Sequence, residues 1–336
     1  VAITLLDVQR LKQDDYEKGV VETFIQECDI SKKLPLVTIG TLEVRTKRTN
    51  SIPTVGFRAR GAMHGTVAAG GTDTVADAVY SMGATIDIDK NDMRDKSPVT
   101  DPLTERTRFA VKGMAWTFND YFVNGDHGVD PDGFEGIKVR LALSPASQTL
   151  YGNTSSAALD VAAALASNTT STMQTFLDRL DEAKYACDGH TADVCLTDAD
   201  GIKAIKACLR RLNLYKDVAP DQPHINPDNG RRTSATLNTR PVFSWDGVDF
   251  YDMGLKADQS TKIIGNDTIG GAACRPFYFL KLGEPYIHGI QQYAMEISKP
   301  YMLDDGVTWR TVIDWPVGLR HVHPRFASVL KGVKVA

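Results

Sequence analysis

Residues 36–60 constrain this chain's fold more than any other stretch, because they are patterned as β-structure yet hold almost nothing apolar to bury. Residues 37–47 are rich in Thr, Val, Ile and Leu, and residues 54–60 alternate Val55, Phe57 and Ala59 with Gly56, Arg58 and Arg60. Both runs have the period-two character of strands. Between them lies a polar turn, Arg48-Thr49-Asn50-Ser51-Ile52-Pro53, whose proline cannot donate to a ladder. The pattern predicts a long hairpin carrying Arg45, Lys47, Arg48, Arg58 and Arg60. A two-stranded hairpin is marginal in water by itself. This one must lie on something else, and another subunit is an available support.

The flanks supply helices and a second body. Residues 13–28 predict a charged helix with Tyr16, Val20, Thr23, Phe24 and Glu27 near one stripe, followed by Ser31-Lys32-Lys33-Leu34-Pro35, and it reads as a separable arm. Glycines crowd residues 61–71, after which residues 85–89 alternate as a half-exposed strand. Asp101-Pro102 opens a helix through Val123 with Leu103, Val111, Met114, Phe118 and Phe122 along one side. It is long enough, at roughly 30 Å, to serve as a beam. A polar turn at 124–136 leads to a second compact region at 151–289. That region holds helices at 172–187 and 200–214, a short buried strand at 194–196, a Pro-, Asp- and Asn-rich loop at 216–241, and a hairpin at 242–251 across Asp246-Gly247. Further strands are expected at 277–282, 286–291, 308–315 and 325–331. The fold class is α+β.

Composition excludes several functions. The chain has 336 residues, with 38 basic against 42 acidic side chains and a net charge of -4, so no global cationic field gathers nucleic acid. No apolar run approaches the ~18 residues of a membrane span, and Asp7 and Arg10 interrupt the start before a signal-peptide core develops. Cys28, Cys187, Cys195, Cys208 and Cys274 are an odd set without framework spacing, as expected of buried thiols made in a reducing compartment.

Motifs that carry chemistry are weak. The glycines from Gly65 to Gly71 lack a phosphate-binding lysine and read as a loop. Asp126, Asp130, Asp132 and Glu135 suggest calcium, but position twelve from Asp130 is Leu141 where a glutamate is wanted, so a solvated turn of Asx caps is favoured. Cys187, His190, Cys195 and Cys208 offer zinc ligands at the wrong spacing, and the cysteines read as packed free thiols. His321 and His323 project to one side of a strand without a third ligand and read as surface or interface histidines. No nucleophile elbow or zinc-helix motif occurs, and no catalytic, cofactor-binding or metal residue is nominated.

Taken in order, five features resemble a tailed-bacteriophage major capsid protein of the Hong Kong 97 type, a fold shared with encapsulins. They are the arm, the basic hairpin, the long helix, the phrase Asn124-Gly-Asp-His-Gly-Val-Asp-Pro-Asp-Gly-Phe134-Glu-Gly136-Ile137, and the closing segment from Trp309 to Lys331. The resemblance covers nearly the whole chain and rests on collinear order. It implies an N-terminal arm at 1–35, an E-loop hairpin at 36–66, a peripheral domain at 67–150 with a spine helix at 101–123, an axial domain at 151–289, and peripheral C-terminal strands at 290–336. It further implies a non-enzymatic shell subunit without cofactors, forming hexamers and pentamers with itself. Scaffold, portal and a decoration or cement protein are its implied partners, with weak non-specific contact to packaged double-stranded DNA. The implied place is the virion capsid, after synthesis in the host bacterial cytoplasm. Arg45, Lys47, Arg48, Arg58 and Arg60 become subunit-interface residues, facing acidic rims such as Asp87, Asp89 and Asp92 of a neighbour. The family member with covalent chain-mail joins an E-loop lysine to an asparagine in the C-terminal part. Lys47 is available here, but no asparagine follows Asn266, which implies a non-covalent shell. An encapsulin-like compartment, or an enzyme with a scattered site, are the alternatives.

Overall fold

The computed structural model describes residues 4, 5, 7, 9, 15–49, 55–65, 71–94, 102–143, 146–187, 191–212 and 243–335. Asp101, His190, the hairpin turn at 50–54 and the loop at 216–241 lie outside the described residues.

One strand, Thr308–His321, organises the first layer. Its odd-numbered side chains Thr311, Ile313, Trp315, Val317 and Leu319 are all buried, the period of a strand with one face on a core. Tyr80–Asp89 runs antiparallel beside it over its full length, from Tyr80 opposite Val317 to Asp89 opposite Thr308. Ile287–Gln291 lies on the other side, and Leu36–Thr38 adds to it in parallel. The helix Pro102–Asn124 packs on this sheet through Val111, Met114, Ala115, Phe118 and Phe122, recurring at helical spacing.

The helix Asp15–Glu27 is not separable, contrary to the sequence expectation. Phe24 and Ile25 are fully buried, and the Phe24 ring stands edge-on to Trp315 at 5.3 Å between centroids. Trp315 also meets Phe118 at 5.3 Å and donates its indole N–H to Gln291 Oε1 at 3.1 Å. Two adjacent stripes, Val20 with Phe24 and Val21 with Ile25, close an apolar face that the long helix and the sheet leave open. Burying a Phe and an Ile is worth about 2 to 3 kcal/mol each. Cys28 Sγ to Asn119 Oδ1 at 2.9 Å and Trp116 Nε1 to Glu27 at 3.2 Å lock the contact.

The second layer is an eight-stranded sheet backed by the helices Val161–Ser167, Thr170–Tyr185 and Ala199–Arg211. Val194–Thr197 is buried at every position, as a central strand must be. Asp160 and Asp198 cap the first and last of these helices, accepting from the backbone N–H groups of Ala163 and Gly201. Asp246 and Gly247 both take positive φ, 49° and 78°, the geometry of a tight hairpin turn between Phe243–Trp245 and Val248–Asp252. The five cysteines are buried and unpaired.

The layers exchange segments, which moves the expected boundaries. Ala327–Lys334 pairs with Ala272–Leu280 in the second sheet, so residues 290–336 do not all belong to the first layer. Conversely, Leu36–Thr38 and Ile287–Gln291 belong to the first sheet rather than to the hairpin and the second region.

The hairpin itself is paired differently. Glu43–Thr49 runs antiparallel to Thr72–Ala78, from Glu43 opposite Ala78 to Thr49 opposite Thr72. Residues 55–65 form no strand and are exposed throughout. The alternation at 54–60 has no surface to read it, whereas Thr72–Ala78 is continued after one residue by Tyr80–Asp89. Continuity with the main sheet fixes the pairing.

Candidate assembly surface

The ribbon formed by Glu43–Thr49 and Thr72–Ala78 has two faces. Glu43, Arg45 and Lys47 point to solvent, while Val44, Thr46 and Arg48 are partly covered by the body. Arg45 is held by Glu43 on the exposed face, at 2.7 Å from Nε. Arg58 and Arg60 lie on the exposed segment beyond the ribbon, Arg58 donating to the Ala62 carbonyl at 2.8 Å. In the same segment Val55, Phe57 and Met63 are 76%, 109% and 94% exposed, apolar side chains that the described residues leave uncovered.

The five nominated residues therefore do not form one patch. Arg45 and Lys47 share the ribbon's outer face, Arg58 and Arg60 lie toward its tip, and Arg48 turns inward. Arg48 donates from Nε to the Val322 carbonyl at 2.8 Å and from Nη2 to the His321 carbonyl, docking the ribbon on its own subunit. Burial holds the Arg48 pKa below its ordinary value.

Sequence reasoning missed the residues that build this root. Arg140, on the helix Ile137–Ala142, reaches Asp77 Oδ1 at 2.6 Å, the Leu319 carbonyl at 3.1 Å and the Glu135 carbonyl at 3.1 Å. Arg320 donates to Thr46 Oγ1 at 3.0 Å. His321, expected at a surface or an interface, is buried within the chain; desolvation first, then Arg140, Arg48 and His323, hold its imidazole far below the usual histidine range. A Cβ on Gly318 would strike the Ala78 carbonyl, which shows how closely the ribbon base approaches the long strand. The only sequence signal was the phrase Arg320-His-Val-His323; nothing local distinguishes Arg140 from a surface arginine.

The acidic rim is also used within the chain. Arg310 grips Asp87 through two bonds of 2.7 Å, Arg106 lies 3.7 Å from Asp92, and Asp89 accepts the Asn91 N–H at 2.7 Å. At 126–136 the carboxylates make turns: Asp126 accepts the Gly128 N–H, Asp130 accepts the Asp132 N–H and the Tyr121 hydroxyl. The Asp130 bond pushes Tyr121 up to about 12. His323 caps the short turn after the long strand, its Nδ1 accepting the Arg325 N–H at 3.2 Å. Among the described residues, no three His, Cys, Asp or Glu side chains gather as a metal ion would require.

No protein-family model matches the sequence, and no curated protein matches it. Solved structures do match. The SrpI encapsulin of Synechococcus elongatus is similar over 100% of this chain and 98% of its own, at 12% identity and a TM-score of 0.59. The capsid of the native GTA particle is similar over 93% of this chain and 90% of its own, at 11% identity and a TM-score of 0.54. The capsid of cyanophage Pam1 covers 88% of this chain and 86% of its own, at 10% identity and a TM-score of 0.55.

Proposed function

We propose that this chain, whose fold is the Hong Kong 97-type shell fold, is a major capsid protein that assembles with copies of itself into the icosahedral shell of a double-stranded DNA phage. The observation that carries the reading is the hairpin. It is anchored by arginines at its root, yet it presents Val55, Phe57 and Met63 to solvent at its far end. Burying one such phenylalanine on a neighbour is worth about 2 to 3 kcal/mol, and a closed shell repeats that contact at every subunit. Arg45, Lys47, Arg58 and Arg60 flank the apolar tip and set register on the neighbour, since exposed ion pairs contribute only ~0.2 to 1 kcal/mol each. Arg48 is assigned to the root instead. Hexamers and pentamers of this chain, a scaffold, a portal and a decoration protein are the partners of such a shell, and the genome meets it only through weak, salt-sensitive contact. The likeness to an encapsulin over 100% of the chain favours, as a second reading, a compartment shell whose contents are protein rather than DNA.

The test is assembly. The full chain, alone or with its scaffold, should form closed particles by light scattering and electron microscopy. Those particles should give a single band near 36.8 kDa on a denaturing gel, because residues 267–336 hold no asparagine to accept Lys47. Replacing residues 55–65 with a short Gly-Ser linker should leave circular dichroism and melting temperature unchanged and abolish closure. A strictly monomeric chain under all conditions, or closure undiminished without the tip, overturns the reading. Nuclease-protected DNA against co-purified protein inside particles isolated from the native host separates phage capsid from compartment.

A further inference from the structure

The root of the ribbon is the least satisfied part of the described interior. Three buried side-chain atoms without a hydrogen-bond partner lie there, Asp77 Oδ2, Arg320 Nε and His321 Nε2, and the buried His288 ring beside them has only the Gly283 backbone. A buried unpartnered polar atom costs of the order of a lost hydrogen bond, so their concentration in one place marks a junction poised to open. Its charge is also unbalanced. Arg48 from the ribbon, Arg140 from the helix Ile137–Ala142 and Arg320 from the long strand converge, and the buried carboxylate among them, Asp77, has already given one oxygen to Arg140.

We propose that this root is an acid-operated latch, in which a proton taken up by His321 releases Arg48, and with it the strand Glu43–Thr49, from the end of Thr308–His321. His321 is 1% exposed, and its own carbonyl accepts from Arg48, so the ring and the moving guanidinium belong to one contact. The groups that face the ring are Arg140, Arg48 and His323, all of which disfavour a further positive charge; Asp77 and Glu135 lie beyond, each in contact with Arg140. The neighbouring strand adds a second buried imidazole, His288, opposite Arg320 in register, with Glu284 and Asp77 in its field. Arg48 is the part free to leave. It is half-buried, its strand has solvent on the other face, and its two docking bonds go to carbonyls. Arg140 is held by Asp77 and two further carbonyls.

The direction follows from linkage. The closed root keeps His321 neutral well below its ordinary range, whereas the opened ring, in water, takes its proton near pH ~6.5. Above that pH the closed state is favoured independently of pH. Below it, the open-to-closed ratio rises up to about tenfold per pH unit. The latch is a property of one chain and holds whether or not the ribbon tip meets a second copy.

Hydrogen–deuterium exchange of the full chain, corrected for intrinsic rates, reads it directly. Protection of residues 43–49 should fall about tenfold per unit between pH ~6.5 and ~5 while the helix Pro102–Asn124 stays protected. His321→Gln should remove the pH dependence, and His323→Gln should keep it. Flat protection in the unmodified chain, or the same loss in His321→Gln, overturns the proposal. If His321→Gln does not fold, the His321 ring is titrated by NMR in the unmodified chain. Its midpoint must coincide with ribbon opening, and a ring that protonates with the ribbon closed refutes the latch.

Discussion

Arg140→Met strips the buried Asp77 carboxylate of its counterion, and the geometry sizes the consequence. The two side chains are 9% and 0% exposed and meet at 2.6 Å, so this is not one of the solvated surface pairs that contribute ~0 to 1 kcal/mol. Removing one partner of a buried pair costs about 3 to 5 kcal/mol, because the remaining charge is left in low dielectric. The carbonyls of Leu319 and Glu135 lose their donors in the same step. Methionine keeps most of the stem volume, so the change reports charge rather than a cavity. With a urea m value of about 3 kcal/mol/M, the unfolding midpoint of dissociated subunits should fall by roughly 1 to 1.7 M, read from tryptophan fluorescence. Asp77→Asn in the same chain should recover much of the loss, making the double variant about 2 kcal/mol better than the sum of the singles. Arg45→Met, on the exposed face where Arg45 meets Glu43 with 71% and 44% exposure, should move the midpoint by less than about 0.3 M. An equally small shift for Arg140→Met, or strict additivity in the double variant, would refute the claim that this pair is desolvated.

Two further outcomes follow from packing and burial. Gly318→Ala should lower stability by about 1 to 3 kcal/mol, because its Cβ meets the Ala78 carbonyl and Ile290 Cγ1 at 3.2 Å, while Gly265→Ala, with nothing within 4 Å, should be neutral or slightly stabilising in a melting comparison. Burial pushes Cys28 up to about 12 and Cys187 and Cys208 up to about 11. These thiols should be silent to an aromatic disulfide reagent at pH ~8 in the native chain and react in urea. Because their folded pKa values exceed the unfolded value, the associated stability is complete below about pH 8.5 and declines as pH rises beyond it, by up to ~1.4 kcal/mol per unit per thiol. Rapid native labelling of Cys28 would contradict the burial.

Where structure is set by neighbours in sequence, the sequence was sufficient. The helix expected at 101–123 is Pro102–Asn124, the strand at 194–196 is Val194–Thr197, and Asp246-Gly247 turns the hairpin it was expected to turn. Periodicity and turn chemistry decide these within a few residues. The order of the elements along the chain was likewise enough to suggest the shell fold. The partner of a strand is a different matter. Residues 54–60 alternate and residues 72–78 do not, yet the continuation of Thr72–Ala78 into the main sheet selects it as the mate of Glu43–Thr49. The helix at Asp15–Glu27 has the stripe of an amphipathic arm whether it floats or docks, and the open apolar face beside Phe118 and Trp315 makes it dock. Arg140 and His321 look like surface residues because nothing in their local sequence says otherwise. Burying a charge or an imidazole depends on what chain closure brings against it, and here Asp77 and Arg48 arrive from 63 and 273 residues away.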